Sequence, residues 1–171
     1  MTLPAASEEG SSAEVPGSGV LLGIDYGTKR VGVAVSDREQ KFSSPLHNLE
    51  RQGPHADERF FRRLVEEYRA VGLVIGLPIH LSGDESEKSA EARRYAAWLA
   101  GVTGLPYTFQ DERFTSFRAQ QLLMDAALSP KKRKARIDKL AAQILLQTYL
   151  ESRQTNRAPS SAAVNPEDPT D

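Results

Sequence analysis

An α/β fold is what this sequence predicts, with a mixed five-stranded sheet of an antiparallel meander plus parallel strands, flanked by helices. Two observations predict it: β-branched apolar runs joined by tight turns come first, and later apolar runs alternate with amphipathic stretches. A third sets the scale, because 171 residues with 39% hydrophobic content suffice for one core and not for two.

The opening MTLPAASEEGSSAEVPGSG and the closing TNRAPSSAAVNPEDPTD are small, polar and proline-bearing. Neither buries enough apolar surface to offset its ordering entropy, so residues 1–19 and 153–171 are expected to be disordered tails around a domain at 20–152. Within it, Val20 to Asp25 forms an apolar run closed by the turn Tyr26-Gly27-Thr28-Lys29, and Val31 to Val35 returns, bounded by Ser36-Asp37. A third run, about Lys41 to Leu49, is polar enough for an edge strand and completes the meander. Phe60, Phe61, Leu64, Val65 and Tyr68 then recur at helical spacing. Leu73 to Leu77, closed by Pro78, is a short apolar strand. A helix over Asp84 to Ala100 ends at Gly101 and Gly104, and Leu105 to Gln110 is the last strand. Apolar residues at 119, 122, 123, 126 and 127 predict another helix, and Ile137, Leu140, Ala141, Ile144 and Leu145 a final one. The later strands should join the sheet in parallel through right-handed crossovers.

The formal net charge is −1, but it is unevenly spread. The first nineteen residues carry −3 and the last nineteen −1, so subtracting both from the whole leaves +3 on the body, which suits a polyanionic ligand. With no cysteine, disulfide frameworks and thiolate chemistry are excluded. The first basic residue is Lys29, which argues against a secretory signal, and no window reaches the ~18 apolar residues of a membrane span. A cytoplasmic protein with no membrane partner is expected, as monomer or homodimer, since no self-complementary face is visible.

Chemistry concentrates in three acids. Asp25 ends an apolar strand, where a carboxylate costs stability unless something meets it; a turn-capping role is the plain alternative. Asp111-Glu112 stands at the corresponding end of the last strand, and the carboxyl ends of such strands converge at the switch point of a mixed sheet. Asp138 follows Ile137 at the edge of the inward stripe of the final helix, where the alternative is a solvated acid balancing six basic neighbours. Three carboxylates around one cleft would suit Mg²⁺ or Mn²⁺, which activates water for attack on a phosphodiester, with Asp25, Glu112 and Asp138 as both metal ligands and catalytic residues. No histidine is required, and His47, His55 and His80 read as surface residues.

Cations adjoin these acids. Lys131, Lys132, Arg133, Lys134 and Arg136, with Lys139 beyond, immediately precede or flank Asp138, and Ser129-Pro130 reads as an N-cap followed by proline at the first helical position. A cluster of carboxylates repels a polyanion unless cations offset the repulsion, so these residues are assigned to phosphate contacts. Thr28, Lys29 and Arg30 offer a turn with backbone N–H groups and two cations beside Asp25. Arg113, Thr115 and Ser116 stand after the second acidic site; Thr115 and Ser116 are helix-cap candidates first and substrate contacts second. Trp98, Phe60 and Phe61 read as core. Base specificity should be weak, because no motif here reads base edges.

GIDYGTKRVGVAVSD, VIGLPIHLSG, DERFTS and RIDKLAAQILLQTYL resemble, in order and spacing, the successive motifs of the YqgF/RuvX family over about Val20 to Glu151. The resemblance implies an RNase H-like fold shared with Holliday-junction resolvases and an assigned role as a nuclease maturing the 16S ribosomal RNA precursor. It places the family's acids on Asp25, Glu112 and Asp138. One departure is that Ser82 precedes Gly83 where many members carry an Asp-Gly turn. Three other readings compete: a four-way-junction resolvase, a binding module with the fold but no turnover, and an actin-like ATPase sharing the GIDYGT phosphate loop. The last needs two such domains, and this chain has room for one.

Overall fold

The computed structural model describes residues 14–157 apart from Leu81 and residues 114–128; the side chains of Lys134, Ala135, Ile137 and Asp138 also fall outside the description. Of the tails expected at 1–19 and 153–171, residues 1–13 and 158–171 lie outside the described residues, as does the helix expected from Ala119. Five strands, β1 (Val20–Tyr26), β2 (Arg30–Ser36), β3 (Ser43–Glu50), β4 (Ala70–Leu77) and β5 (Tyr107–Asp111), alternate with helices α1 (Pro54–Tyr68), α2 (Glu87–Thr103) and α3 (Pro130–Arg157) in the expected order.

The strands form one sheet in the order β3-β2-β1-β4-β5. β1 is antiparallel to β2 and β2 to β3, whereas β4 runs parallel to β1 and β5 parallel to β4. This is the expected mixed sheet, and it puts the carboxyl ends of β1, β4 and β5 at one edge. Side-chain alternation divides the core in two. Leu22, Ile24, Leu73 and Ile75 pack with Phe61 and Leu64 of α1 and Tyr95 and Leu99 of α2. Leu21, Ala34 and Val74 pack with Ala142, Leu145, Leu146 and Leu150 of α3. Fully burying a side chain such as Phe61 contributes about 1.5–3 kcal/mol.

The α3 layer sits very close to the sheet. A Cβ on Gly23 would stand 2.7 Å from Leu146 Cβ and 3.1 Å from the Ala142 carbonyl oxygen, so only glycine admits the helix at this depth. Since Ala142 lies by Gly32 and Asp25, and Leu146 by Gly23, α3 descends antiparallel to β1. Its first turns therefore lie toward the carboxyl end of β1. α3 opens at Pro130, with the Arg133 amide donating to the Ser129 carbonyl at 2.9 Å, as a proline at the first helical position allows.

Several boundaries differ from the sequence reading. β3 starts at Ser43, because Asp37 Oδ1 accepts from the amides of Lys41 (2.8 Å) and Phe42 (2.9 Å) and closes a turn there. α2 starts at Glu87, not Asp84: the Ser86 hydroxyl accepts from the Ser89 amide and the Ser89 hydroxyl is bonded by the Ser86 amide, a reciprocal cap. It passes through Gly101 and stops at Gly104, whose φ of 72° closes the helix in the left-handed conformation. Order also extends past the expected limits. Val15 is 4% exposed within the α3 core, and α3 continues to Arg157. Arg153 donates to the Val15 and Pro16 carbonyls at 2.8 and 3.3 Å, and Arg157 to that of Gly17 at 3.1 Å. No helix among the described residues is long and apolar enough to cross a membrane.

Candidate active site at the carboxyl ends of β1, β4 and β5

Asp25 is the penultimate residue of β1 and pairs with Gly32 of β2. By alternation its side chain shares the α3 face with Leu21 and Gly23, the face opposite Leu22 and Ile24. Gly32 gives it room: a Cβ there would lie 3.4 Å from Asp25 Cβ and 3.8 Å from its Oδ2, with Ala142 Cβ at 3.3 Å. Glu112 follows the last residue of β5, and its side chain reaches back over Gly76 of β4 toward Leu145 of α3. Both carboxylates thus occupy the same face at the same edge, on either side of β4.

Electrostatics couple them. Burial pushes the Glu112 carboxyl up to about 7, the negative charges of Asp25 and then Asp111 push the same way, and the Lys88 ammonium opposes them. The neighbouring acid behaves differently. Asp111 accepts from the Arg113 guanidinium at 2.8 and 2.5 Å and from the Arg113 amide at 2.9 Å, and this pairing holds its carboxyl below the usual range. Within Asp111-Glu112-Arg113, then, one acid anchors the turn and the other enters the cleft. Arg113, expected at the substrate, is paired here with Asp111.

The cleft that Glu112 enters has a volume of about 550 Å³ and is walled by Tyr26, Gly27, Thr28 and Pro78 and by Glu87, Lys88 and Glu91 of α2. Thr28, Lys29 and Arg30 are exposed at the β1–β2 turn. Lys131, Lys132 and Arg136 are exposed on the first turns of α3, with Arg133 half-buried. Asp138 lies on α3 one turn before Ala142, about 6 Å of helix nearer the cleft edge. Its side chain and that of Lys134 are outside the described residues, as are Thr115 and Ser116. Among the described residues no three His, Cys, Asp or Glu side chains gather as a metal-binding group, and the expected third carboxylate is among those not described. His47, His55 and His80 are exposed, as expected.

Sequence reasoning missed Lys88. Its signal lay in the cap: with Ser86 recognised as the N-cap, Lys88 falls in the first turn of α2, facing the strand ends.

Residues 19–152 match a family model described as RuvX: Holliday junction resolvase. The chain belongs to the RuvX family. Among curated RuvX relatives, a protein of Rhodopirellula baltica named "Putative pre-16S rRNA nuclease" is 43% identical over 137 residues, covering 80% of this chain and 79% of its own. A protein of the same name from Koribacter versatilis is 39% identical over 139 residues, covering 81% and 91% respectively. Among solved structures, Thermus thermophilus RuvC in complex with a Holliday junction substrate aligns at 15% identity with a TM-score of 0.47, over 80% of this chain and 96% of that one.

Proposed function

We propose that this RuvX-family chain is a metal-dependent endonuclease that hydrolyses phosphodiester bonds of structured nucleic acid, with the 16S ribosomal RNA precursor as its substrate. The observation that carries the reading is Glu112, a carboxyl lining the cleft that burial first and the charge of Asp25 second push up to about 7. Two carboxylates forced together in a half-buried cleft are poorly stabilised as a pair of anions. A divalent cation of the Mg²⁺ or Mn²⁺ class relieves that repulsion and prefers such hard oxygen donors.

Asp25, Glu112 and Asp138 are the residues assigned to hold it. When bound, such a cation supplies Lewis-acid polarisation of the phosphate and lowers the pKa of water. The chain's own groups do the rest. Lys88, beside Glu112, offsets the negative field that a phosphodiester meets on entry. Thr28, Lys29 and Arg30 on one side, and the exposed cations Lys131, Lys132 and Arg136 on the other, hold the backbone across the cleft and fix its position without reading sequence. The names of the curated relatives support the RNA substrate, and a role in ribosome maturation would place the protein in the cytoplasm.

The family description favours a second reading, cleavage of branched DNA. Incubating the protein with a 16S precursor fragment, and separately with a four-way DNA junction, under Mg²⁺, Mn²⁺ or chelator decides between them. Metal-dependent cutting that Asp25→Asn abolishes is the expected result, with the precursor preferred. Binding of either substrate without cutting under any metal would overturn the catalytic assignment and leave a binding module.

A further inference from the structure

A second cavity, of about 400 Å³, adjoins the cleft and shares Tyr26 and Glu91 with it. That volume is within the ~300–1,000 Å³ typical of small-ligand sites. Its wall is aromatic: the Tyr26 and Tyr95 rings lie 4.7 Å apart, and Tyr95 and Trp98 5.3 Å apart. The Arg51 guanidinium caps both tyrosines, 5.5 and 5.4 Å from their ring centres. Asp57, 1% exposed, supplies a buried carboxylate, and Arg94 stands exposed at the rim.

Two details indicate a ligand. Tyr95 is 6% exposed, yet its hydroxyl has no hydrogen-bond partner among the described residues, an expensive omission for a buried polar group. The charged and polar groups felt by that hydroxyl are Arg51, Asp57 and Tyr26, all on the cavity wall. Arg51 itself is loosely held, donating to Asp57 Oδ2 at 3.5 Å, to the Tyr26 hydroxyl at 3.5 Å and to the Thr28 carbonyl at 3.4 Å. Bonds of that length are weak, so the guanidinium can shift onto an incoming planar group.

We propose that this cavity receives one unpaired nucleobase of the bound nucleic acid, stacked on Trp98 and on the Arg51 guanidinium, whose shift away from Asp57 and the tyrosines opens the buried Tyr95 hydroxyl and Asp57 carboxylate to the polar edge of the base. Stacking on aromatic rings and guanidinium planes, with hydrogen bonds to an exposed base edge, is how proteins read unpaired RNA. The shared wall sets the cavity next to the cleft that Glu112 lines, so an extruded base would fix which phosphodiester enters the cleft. The inference rests on the nucleic-acid reading of that cleft. It also departs from the expectations that base specificity is weak and that Trp98 reads as core.

Trp98 is the single tryptophan of the chain, so its fluorescence reports this cavity. The test titrates the full-length protein, in chelator, with a short single-stranded RNA of mixed sequence and with the same backbone made wholly abasic. In parallel, metal-dependent cleavage of the precursor fragment is followed with single abasic replacements around the cut. The expected result is that the base-bearing RNA changes Trp98 emission and binds about 5- to 150-fold more tightly than the abasic strand, the range for loss of base stacking. One abasic position beside the cut should then weaken substrate binding. Tyr95→Phe, which removes only an unpartnered hydroxyl, should reduce that base preference while leaving thermal stability unchanged or raised, and Arg94→Ala should weaken binding without altering the fold. Equal binding of both strands with unchanged Trp98 emission, while cleavage proceeds, would overturn the base pocket and leave the nuclease standing. Base-dependent quenching without cleavage would sustain the pocket and overturn the nuclease. Absence of any binding would overturn both.

Discussion

The Glu112 carboxylate lies over Gly76, in the space that a side chain on β4 would otherwise fill. Gly76 is buried, and a Cβ there would collide with Glu112 Oε1 and Leu145 Cδ1. β4 thus carries no acid of the site, yet it determines where one of them rests.

Gly76→Ala should therefore displace Glu112 and Leu145. Overpacking of this kind costs about 1–3 kcal/mol, and a misplacement near 1 Å at reacting groups costs about 10²-fold in rate. Cleavage of the precursor fragment should fall by that order while the protein remains folded, measured as kcat alongside a thermal melt. A variant with full activity would mean that Glu112 is not held in its working position here.

The raised pKa of Glu112 predicts a pH-dependent stability. Between the ordinary value of 4.5 and the folded value of about 7, the folded state keeps a proton that the unfolded chain releases. Stability from the buried neutral acid is complete below about 4.5 and lost as pH rises through about 7. In chelator, the free energy of unfolding should drop by on the order of 2–3 kcal/mol between about pH 5 and pH 8. Glu112→Gln should flatten that slope and be the more stable protein at the upper end; denaturant titration at several pH values checks it. A slope unchanged by the substitution would remove Glu112 as its source.

Adding Mg²⁺ or Mn²⁺ at about pH 8 should reverse the loss, because a ligand that binds only the folded state raises stability with its concentration. Melts with and without metal measure this, and Asp25→Asn should diminish the metal-dependent increase in Tm.

Lys88 opposes the upward shift of Glu112. Lys88→Ala should move the acidic limb of the kcat/KM profile to higher pH and weaken substrate binding several-fold, with Lys88→Arg restoring both. An unaltered profile would reduce Lys88 to a surface charge.

Leu146 is fully buried over Gly23, where α3 meets β1. Leu146→Ala should cost about 2–5 kcal/mol, read from the denaturant midpoint.

Much of this arrangement was legible in the sequence, for identifiable reasons. Alternation along Leu21 to Asp25 encodes two buried faces, and an acid at the end of each of two strands is a local signal that survives folding. The face shared by Asp25 and Glu112 follows from that periodicity once β4 is placed between them. Other features depended on competition or on distance along the chain. Ser82, Asp84 and Ser86 are all good N-caps, and the reciprocal bonds with Ser89 select the third; Lys88 was overlooked with it. Val15 sits in a segment whose composition reads as a tail, yet it packs in the α3 core and its carbonyl accepts from Arg153, 138 positions away. Tyr95 and Trp98 have the spacing of core residues, and nothing local distinguishes a ring that covers the core from one that also lines a cavity.

The strap joining Val15, Pro16 and Gly17 to Arg153 and Arg157 has a practical consequence. It lies by the start of β1, at the opposite end of the sheet from the carboxylate cleft. The described chain thus begins and ends at the same corner of the molecule, on the side away from the carboxylates, and a spectroscopic label introduced at Gly17 or Arg157 would report on that corner without touching the cleft.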